Sequence, residues 1–182
     1  QKVGRAKYIS CFDAKSGYWQ IPVKKDCRWL TAFVCDAGLF EFQRMPFGLK
    51  SSGNTFMRCM SKVVHPIRSF TETFVDDMAV LSMTWSEYLE HLEKFLQTIK
   101  DSGLTLNLKK SSLAQGKVPF LGHVVGSGQV EPDPVKIATV SSLQPPTTKK
   151  EVRRLMGFFS YFRNFIPSLA ETARIITDLT QK

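Results

Sequence analysis

Two adjacent carboxylates, Asp76 and Asp77, interrupt an apolar and strand-like run of the chain between Thr73 and Leu81. Neighbouring carboxylates repel each other, and each loses hydration energy when it is placed among apolar side chains. A bound cation would offset both costs, and a divalent metal is the strongest candidate. The alternative is structural, because aspartate is also common in tight turns that carry no chemistry.

A third carboxylate, Asp13, follows a predicted buried strand over residues 8–12. If that strand lies beside the segment that carries Asp76 and Asp77, three carboxylates converge at one end of a sheet. Three carboxylates can hold two Mg²⁺ ions about 3.5–4 Å apart, the arrangement that serves in-line phosphoryl transfer. One ion would lower the pKa of an attacking hydroxyl, and the other would stabilise leaving pyrophosphate. The sequence leaves the distance between the two segments open.

Composition limits the class of protein. The 182 residues suit one full domain with or without a small second one, and 43% hydrophobic residues can form a sizeable core. No apolar stretch approaches the ~18 residues of a membrane span, so no membrane partner is expected. A net charge of +9 with 12% aromatic residues favours a polyanionic partner such as nucleic acid. The four cysteines form no Cys-x-x-Cys pair, which favours free thiols in a reducing compartment, cytoplasm or nucleus, over a zinc site.

Strands and helices alternate over residues 1–130. The capping box Thr84-x-x-Glu87 predicts the start of a helix that ends at Gly103. Alternating leucines predict a strand over residues 104–108. The other predicted elements are hairpin strands at 30–35 and 39–44, a helix at 54–65, a hairpin at 72–82 with the two aspartates at its turn, and hairpin strands at 118–125 and 129–130.

Only helices are predicted from residue 131 onward. One covers residues 134–143, a second runs from the capping box Thr148-x-x-Glu151 to about residue 166, and a third follows Ser168-x-x-Glu171. Mixed strands and helices followed by helices alone indicate an α+β domain over residues 1–130 and a small helical domain over residues 131–182.

Several short motifs, in order along nearly the whole chain, resemble the reverse transcriptase of gypsy-type long-terminal-repeat retrotransposons and retroviruses. Each motif is weak alone, and their joint order is highly specific. Residues 12–21, 40–49 and 74–77 resemble the first two catalytic motifs and the aromatic-x-Asp-Asp motif, residues 103–110 and 120–123 resemble the next two motifs, and residues 133–182 resemble the thumb.

The resemblance implies a right-hand polymerase. Its palm would have an antiparallel sheet and packed helices, with partial fingers at about residues 20–45 and a small helical thumb. The implied activity is RNA-directed DNA polymerisation, which adds dNTPs to a primer 3′ end on an RNA or DNA template. Asp13, Asp76 and Asp77 would hold two Mg²⁺ ions, with Mn²⁺ as the alternative. RNase H and integrase regions are expected in the parent polyprotein.

The resemblance also implies roles for residues around the metals. Tyr18 matches a residue that stacks under the incoming sugar and excludes a 2′-hydroxyl, and Phe47 and Gly48 match the wall of the dNTP pocket. Lys110 matches a lysine proposed to protonate pyrophosphate. Without the resemblance, these would be ordinary packed rings, a turn and a solvated lysine. The implied primer–template contacts are Phe74, Phe120, Leu121 and Gly122, with Lys149, Lys150, Arg153 and Arg154 on a basic thumb helix.

The chain also departs from the family. It starts just before the first motif, without the basic fingers segment that clamps the triphosphate, so we expect the isolated chain to be a feeble or inactive polymerase. One alternative is a catalytically dead retroelement remnant that acts as a nucleic-acid-binding or interaction module. Another is a different palm-type nucleotidyl transferase or cyclase, which the primer-grip-like residues 120–122 disfavour.

Overall fold

The computed structural model describes residues 5–141 and 143–178. The chain divides into two compact units, the first comprising residues 1–121 with 125–129 and the second comprising residues 122–124 with 130–182. Mixed helices and antiparallel sheet confirm the predicted α+β class. The domain boundary at residue 130, with a palm before it and a thumb after it, stays a prediction.

A four-stranded sheet forms the centre of the first unit, with strand order β4-β5-β1-β6. β1 pairs antiparallel with β5 along its full length, from Tyr8 opposite Ser82 to Asp13 opposite Asp77. Apolar residues dominate both central strands because both faces of the sheet are covered. The strands are β1 (Tyr8–Asp13), β4 (Thr71–Phe74), β5 (Asp77–Ser82) and β6 (Ser112–Gln115).

Helices cover one face of this sheet. α1 (Gly17–Gln20) follows β1, α2 (Ser52–Val64) precedes β4, and α3 (Trp85–Ser102) follows β5. Their apolar side chains close over the sheet, as where the rings of Phe12 and Phe95 stack with centroids 4.7 Å apart. The fully buried members of this core include Phe56, Met60, Met78, Val80 and Phe95.

The predicted start and end of α3 are confirmed. The Thr84 side chain accepts a hydrogen bond from the Glu87 amide, and the Glu87 side chain accepts one from the Thr84 amide. Gly103 closes the helix in a left-handed conformation, with φ 73°, which glycine adopts without steric cost.

A second apolar cluster of the first unit combines Ile9, Ala79 and Leu81 of the sheet with Val118 and Val125. β7 (Lys117–Phe120), β8 (His123–Gly126) and β9 (Gln129–Pro132) form a three-stranded sheet in that order. The prediction of one strand over residues 118–125 is therefore wrong. A turn divides it at Leu121 and Gly122, whose φ angles are 52° and 76°.

The predicted hairpin near residue 36 is confirmed with shorter strands, β2 (Phe33–Cys35) and β3 (Gly38–Phe40). The first strand starts later than predicted because Lys25–Thr31 forms a 3₁₀ helix.

The predicted strand over residues 104–108 is wrong. Leu104 and Leu106 do pack on the core, but Leu106 makes only an isolated bridge to Ala14, and a 3₁₀ turn begins at Leu108. Leu108 is 74% exposed, so the leucine alternation does not mark one buried face. The strand that extends the sheet is β6, four residues further on.

The second unit contains α4 (Pro134–Ser141), α5 (Lys149–Tyr161) and α6 (Leu169–Asp178). The capping box of Thr148 and Glu151 is confirmed at the start of α5. α5 ends five residues before the predicted position, because a 3₁₀ turn follows over Arg163–Phe165. The predicted end of the first helix includes residue 142, which lies outside the described residues. None of the described helices is long and apolar enough to cross a membrane.

Candidate active site

A strained hairpin turn presents Asp76. It lies between β4 and β5, and Asp77 is the first residue of β5. Val75, just before it, has φ 52°, which is unfavourable for a β-branched residue and is tolerated where the surroundings enforce it. Here the surroundings are the pairing of Phe74 with Asp77 and a 3.1 Å hydrogen bond from the Ala14 amide to the Asp76 carbonyl.

β1 brings Asp13 to the same end of the sheet. Asp13 is the register partner of Asp77, so the backbones of these two residues are direct neighbours across antiparallel strands. The Asn107 amide donates a 2.8 Å hydrogen bond to the Asp13 carbonyl. The convergence of the three aspartates, which the sequence left open, is thus present at the level of the backbone.

The surroundings of Asp76 and Asp77 disfavour the charged form of both carboxyl groups. Burial raises the pKa of Asp76, and the charges of Asp13 and Asp77 raise it further. Burial likewise raises the pKa of Asp77, with Asp13 adding to the effect. Lys110 opposes both shifts without reversing them. Within the described residues, the Oδ1 atom of Asp76 is buried and has no hydrogen-bond partner.

Lys110 is the nearby cation. Its Nζ lies 3.8 Å from Oδ2 of Asp13, and its side chain is 68% exposed. An ion pair so exposed to water stabilises the protein little. Lys110 therefore offsets the charge repulsion among the aspartates only in part, because the pKa values of Asp76 and Asp77 remain raised.

The donor set fits a divalent cation of the Mg²⁺ type. Such ions prefer hard carboxylate oxygens, and the buried, unpartnered Oδ1 of Asp76 is one. The side chains are not gathered as a finished site, since no three His, Cys, Asp or Glu groups in the described ranges could hold a metal together. The ligand roles of Asp13, Asp76 and Asp77 stay predictions.

Aromatic packing holds the ring of Tyr18, which lies on α1, five residues after Asp13. Its ring contacts those of Phe47 and Phe56, each with centroids 5.2 Å apart. A Cβ on Gly17 would lie 2.6 Å from Cζ of Phe56, so any residue other than glycine at this position would force the Phe56 ring to shift. Phe47 is 62% exposed, and Gly48 follows it with φ 88°. The structure thus brings Tyr18 and Phe47 together, and the roles of Tyr18, Phe47 and Gly48 in a dNTP pocket stay predictions.

Sequence reasoning missed the supporting role of Gln20. Its side-chain amide donates to the carbonyls of Lys15 (2.6 Å) and Thr105 (2.9 Å), and its Oε1 accepts from the Thr105 amide (2.7 Å). These bonds tie the loop after Asp13 to a segment 85 residues further along the chain. Gln20 lies in the first motif, but no local pattern identifies its distant partner.

The predicted primer–template residues lie in different parts of the chain. Phe74 is half-exposed on β4, opposite Asp77. Phe120 is partly buried against the second apolar cluster of the first unit, whereas Leu121 is 40% exposed. Gly122 belongs to the second unit. The exposed residues of α5 include all four predicted basic ones, Lys149, Lys150, Arg153 and Arg154.

Comparison with known proteins finds relatives along the whole chain. Residues 1–125 match the family model described as reverse transcriptase (RNA-dependent DNA polymerase). The Retrovirus-related Pol polyprotein from transposon 297 of Drosophila melanogaster is 32% identical over 182 residues. The corresponding polyprotein from transposon gypsy of the same organism is 32% identical over 178 residues. The enzymatic polyprotein of Cauliflower mosaic virus (strain NY8153) is 35% identical over 167 residues.

The chain covers only part of each relative, namely 17% of both Drosophila polyproteins and 24% of the viral one. Among solved structures, a foamy viral protease-reverse transcriptase in complex with double-stranded DNA matches with TM-score 0.89 and 30% identity, over 96% of this chain and 31% of that one. The foamy viral enzyme in complex with an RNA/DNA hybrid matches with TM-score 0.83 and 28% identity, over 98% of this chain and 25% of that one.

These matches agree with the α+β sheet, the packed helices and the order of the motifs. The family match covers more than half of the chain and includes all three aspartates. The chain belongs to the reverse transcriptase family.

Proposed function

We propose that this chain supplies the polymerase chemistry of its family, with feeble activity or none when isolated: addition of a dNTP to a primer 3′ end on an RNA or DNA template, by two-metal phosphoryl transfer. The observation that carries the proposal is Asp76 itself. It lies beside Asp13 and Asp77, with a raised pKa and a buried, unpartnered Oδ1, which is a costly arrangement for a protein without a cation to bind.

Asp13, Asp76 and Asp77 would hold two Mg²⁺ ions, or Mn²⁺ in their place. Such ions lower the pKa of the attacking hydroxyl and offset the charge that develops on the phosphate. The strained turn and the β1–β5 pairing hold the backbones of the aspartates in place. Because burial and mutual repulsion raise the pKa values of Asp76 and Asp77, protons compete with cations for these carboxylates.

Tyr18, Phe47 and Gly48 would form the dNTP pocket. The contacts of Tyr18 with Phe47 and Phe56 leave its ring little room to move aside. A ring fixed under the incoming sugar would clash with a 2′-hydroxyl and so select deoxynucleotides. Lys110 would donate a proton from Nζ to the leaving pyrophosphate, and its exposure leaves it free to turn from Asp13 towards that group.

Phe74, Phe120, Leu121 and Gly122 would hold the primer end, and the basic residues of α5 would contact phosphates. Such contacts neutralise the nucleic-acid backbone without reading its sequence. Support comes from the foamy viral neighbours, whose structures contain double-stranded DNA or an RNA/DNA hybrid. Residues 1–130 would act as palm with partial fingers and residues 131–182 as thumb, within a polyprotein that also carries RNase H and integrase regions.

Single-nucleotide incorporation on a primed RNA template tests the proposal. We expect any Mg²⁺-dependent incorporation by the isolated chain to be feeble and to be lost in Asp76→Asn, because the neutral amide is a poor metal ligand. Asp36→Asn is the matched control, since Asp36 lies in the exposed β2–β3 turn and is not part of the site. Binding of Mn²⁺, followed by electron paramagnetic resonance, should fall in Asp76→Asn and not in Asp36→Asn.

Two outcomes would contradict the proposal. Incorporation that is equal in both variants would exclude the aspartates as the catalytic centre. Salt-sensitive nucleic-acid binding without incorporation, unchanged by Asp13→Asn and by chelation of divalent ions, would favour the binding-module alternative.

A further inference from the structure

The second unit places the ammonium of Lys136 against the backbone of Gly122. Gly122 has φ 76°, and a Cβ built on it would overlap both Nζ of Lys136 and Oη of Tyr161. A side chain at residue 122 would therefore displace these two groups. Because glycine has no side chain, Lys136 on α4 can occupy this position at the turn that leads into β8.

An aromatic stack stabilises that position. Nζ of Lys136 lies 4.7 Å from the centroid of the Tyr161 ring, within the range of a cation–π contact. The Tyr161 ring stacks on His123, with centroids 5.1 Å apart and planes 7° apart. The His123 ring is in turn 5.5 Å from that of Phe165. Lys136 is thus more restrained than a lysine on an open helix surface.

The restrained ammonium forms no ion pair with a carboxylate of the described residues. Asp133, the residue just before α4, accepts a 2.9 Å hydrogen bond from the Val135 amide and so caps the helix. Lys136 is half-buried, and a partly desolvated cation gains from an anionic partner. An ammonium is a compact point charge with three donors, well suited to phosphate oxygens.

We infer that Lys136 binds a phosphodiester of the nucleic-acid strand, with Gly122 and Tyr161 as its positioning residues. The inference rests on the proposed function, because Lys136 would add a phosphate contact beside the predicted primer-binding turn. It differs from the α5 contacts in geometry. Lys149, Lys150, Arg153 and Arg154 are exposed and can each shift along a phosphate chain, whereas Lys136 would bind at one fixed place.

The test is binding of a primer–template duplex, measured by fluorescence anisotropy over a series of salt concentrations. Loss of one phosphate contact should reduce the slope of log K against log salt concentration by about 0.9. We expect this reduction in Lys136→Gln. Lys94→Gln removes the same charge from an exposed site on α3 and should leave the slope unchanged.

Gly122→Ala tests the positioning role while leaving the charge of Lys136 in place. It should reduce the slope as Lys136→Gln does, and the double variant should show no further reduction. A general packing defect would not give this non-additive result. His123→Phe, which keeps an aromatic ring in the stack, should retain the slope.

The outcomes distinguish a failure of this inference from a failure of the proposed function. If the unsubstituted chain binds with a clear salt dependence and Lys136→Gln matches Lys94→Gln, the inference is wrong and the proposed function stands. If the unsubstituted chain does not bind the duplex at all, both are wrong. Thermal unfolding of each variant identifies a loss of folding, and in that case Lys136→Gln, which changes no core residue, decides.

Discussion

At the scale of single residues, the raised pKa of Asp76 links the site to stability. A carboxyl whose pKa is higher in the folded than in the unfolded state binds more protons when folded, so stability falls as pH rises through that range. Burial is the main cause of the shift for Asp76. We expect Asp76→Asn to raise the melting temperature at pH 7 by roughly 2 °C, and we expect the gain to disappear in acid, where Asp76 is protonated in both states.

Added Mg²⁺ sharpens this prediction. A ligand that binds the folded state alone raises the melting temperature, so Mg²⁺ should stabilise the unsubstituted chain more than Asp76→Asn. Calorimetry at pH 7 and at pH ~2.5, well below the ordinary aspartate pKa of 3.8, with and without Mg²⁺, measures both effects. If Asp76→Asn lowers the melting temperature at pH 7, the carboxylate is a structural group and the stated cause of its pKa shift is wrong.

Gly17 supports Tyr18 through the space that it leaves. Since a Cβ would lie 2.6 Å from Cζ and 2.9 Å from Cε2 of Phe56, we expect Gly17→Ala to cost about 1–3 kcal/mol, the usual range for overpacking. Gly157→Ala is the matched control, because a Cβ there has no neighbour within 4 Å inside α5. That change should stabilise the helix by about 0.5–1 kcal/mol. Urea denaturation measures both, and a neutral Gly17→Ala would contradict the packing argument.

At the scale of elements, the sequence predicted helix starts that depend on neighbouring residues, and it did not predict a strand that depends on pairing with a distant segment. The capping boxes at Thr84 and Thr148 identified two helix starts, because both partners of each box lie within four residues. The strand β6 was not predicted, since its sequence Ser-Leu-Ala-Gln has no strong strand pattern and it forms by pairing with β1, about 100 residues earlier. The leucines at 104–108 gave a false strand because two of them fill a core without a ladder partner on each side.

The capping box of α3 gives an element-scale prediction. Hydrogen bonds from the amides of Thr84 and Met83 lower the pKa of Glu87. A carboxyl with a lowered folded-state pKa stabilises above its unfolded pKa, and that contribution is lost as pH falls through the folded value. Glu87→Gln should therefore lower the melting temperature by a few degrees at most at pH 7, and the difference from the unsubstituted chain should shrink as pH falls below the ordinary value of 4.5.

Glu90→Gln removes the same charge from the same helix without touching the cap. Glu90 is exposed, so this control should leave the melting temperature nearly unchanged at either pH. Equal effects of the two substitutions would mean that the net charge of α3 matters, and not the hydrogen bonds of the box.

At the scale of the whole molecule, the candidate active site combines segments that are far apart in sequence. Motif order predicted which residues belong together, and the pairing of Asp13 with Asp77 agrees with it. The placement of the three carboxylate groups was not predictable from sequence, because it depends on side-chain conformations and on neighbours such as Lys110, whose Nζ lies 3.8 Å from Oδ2 of Asp13. The hydrogen bond between Gln20 and Thr105 was likewise not predictable, because the motif that contains Gln20 does not identify a partner 85 residues away.

An apolar surface on the β2–β3 hairpin has consequences for the state of the molecule in solution. Val34 and Leu39 are register partners, and they are 79% and 72% exposed. Trp29 and Leu30, just before β2, are 67% and 63% exposed. Exposed apolar groups that are contiguous favour association with other surfaces, and a two-stranded ribbon with free edges adds to that tendency.

We therefore expect the chain to self-associate as its concentration rises, and we expect Val34→Lys with Leu39→Glu to reduce this association. Opposite charges at directly paired positions are compatible with the hairpin, so the fold should be retained. Val135→Lys is the control, because Val135 is 74% exposed on α4, away from this hairpin in sequence. Sedimentation velocity measures the outcome. Association that is unchanged in the double variant, or reduced equally by Val135→Lys, would show that the hairpin is not the contact surface.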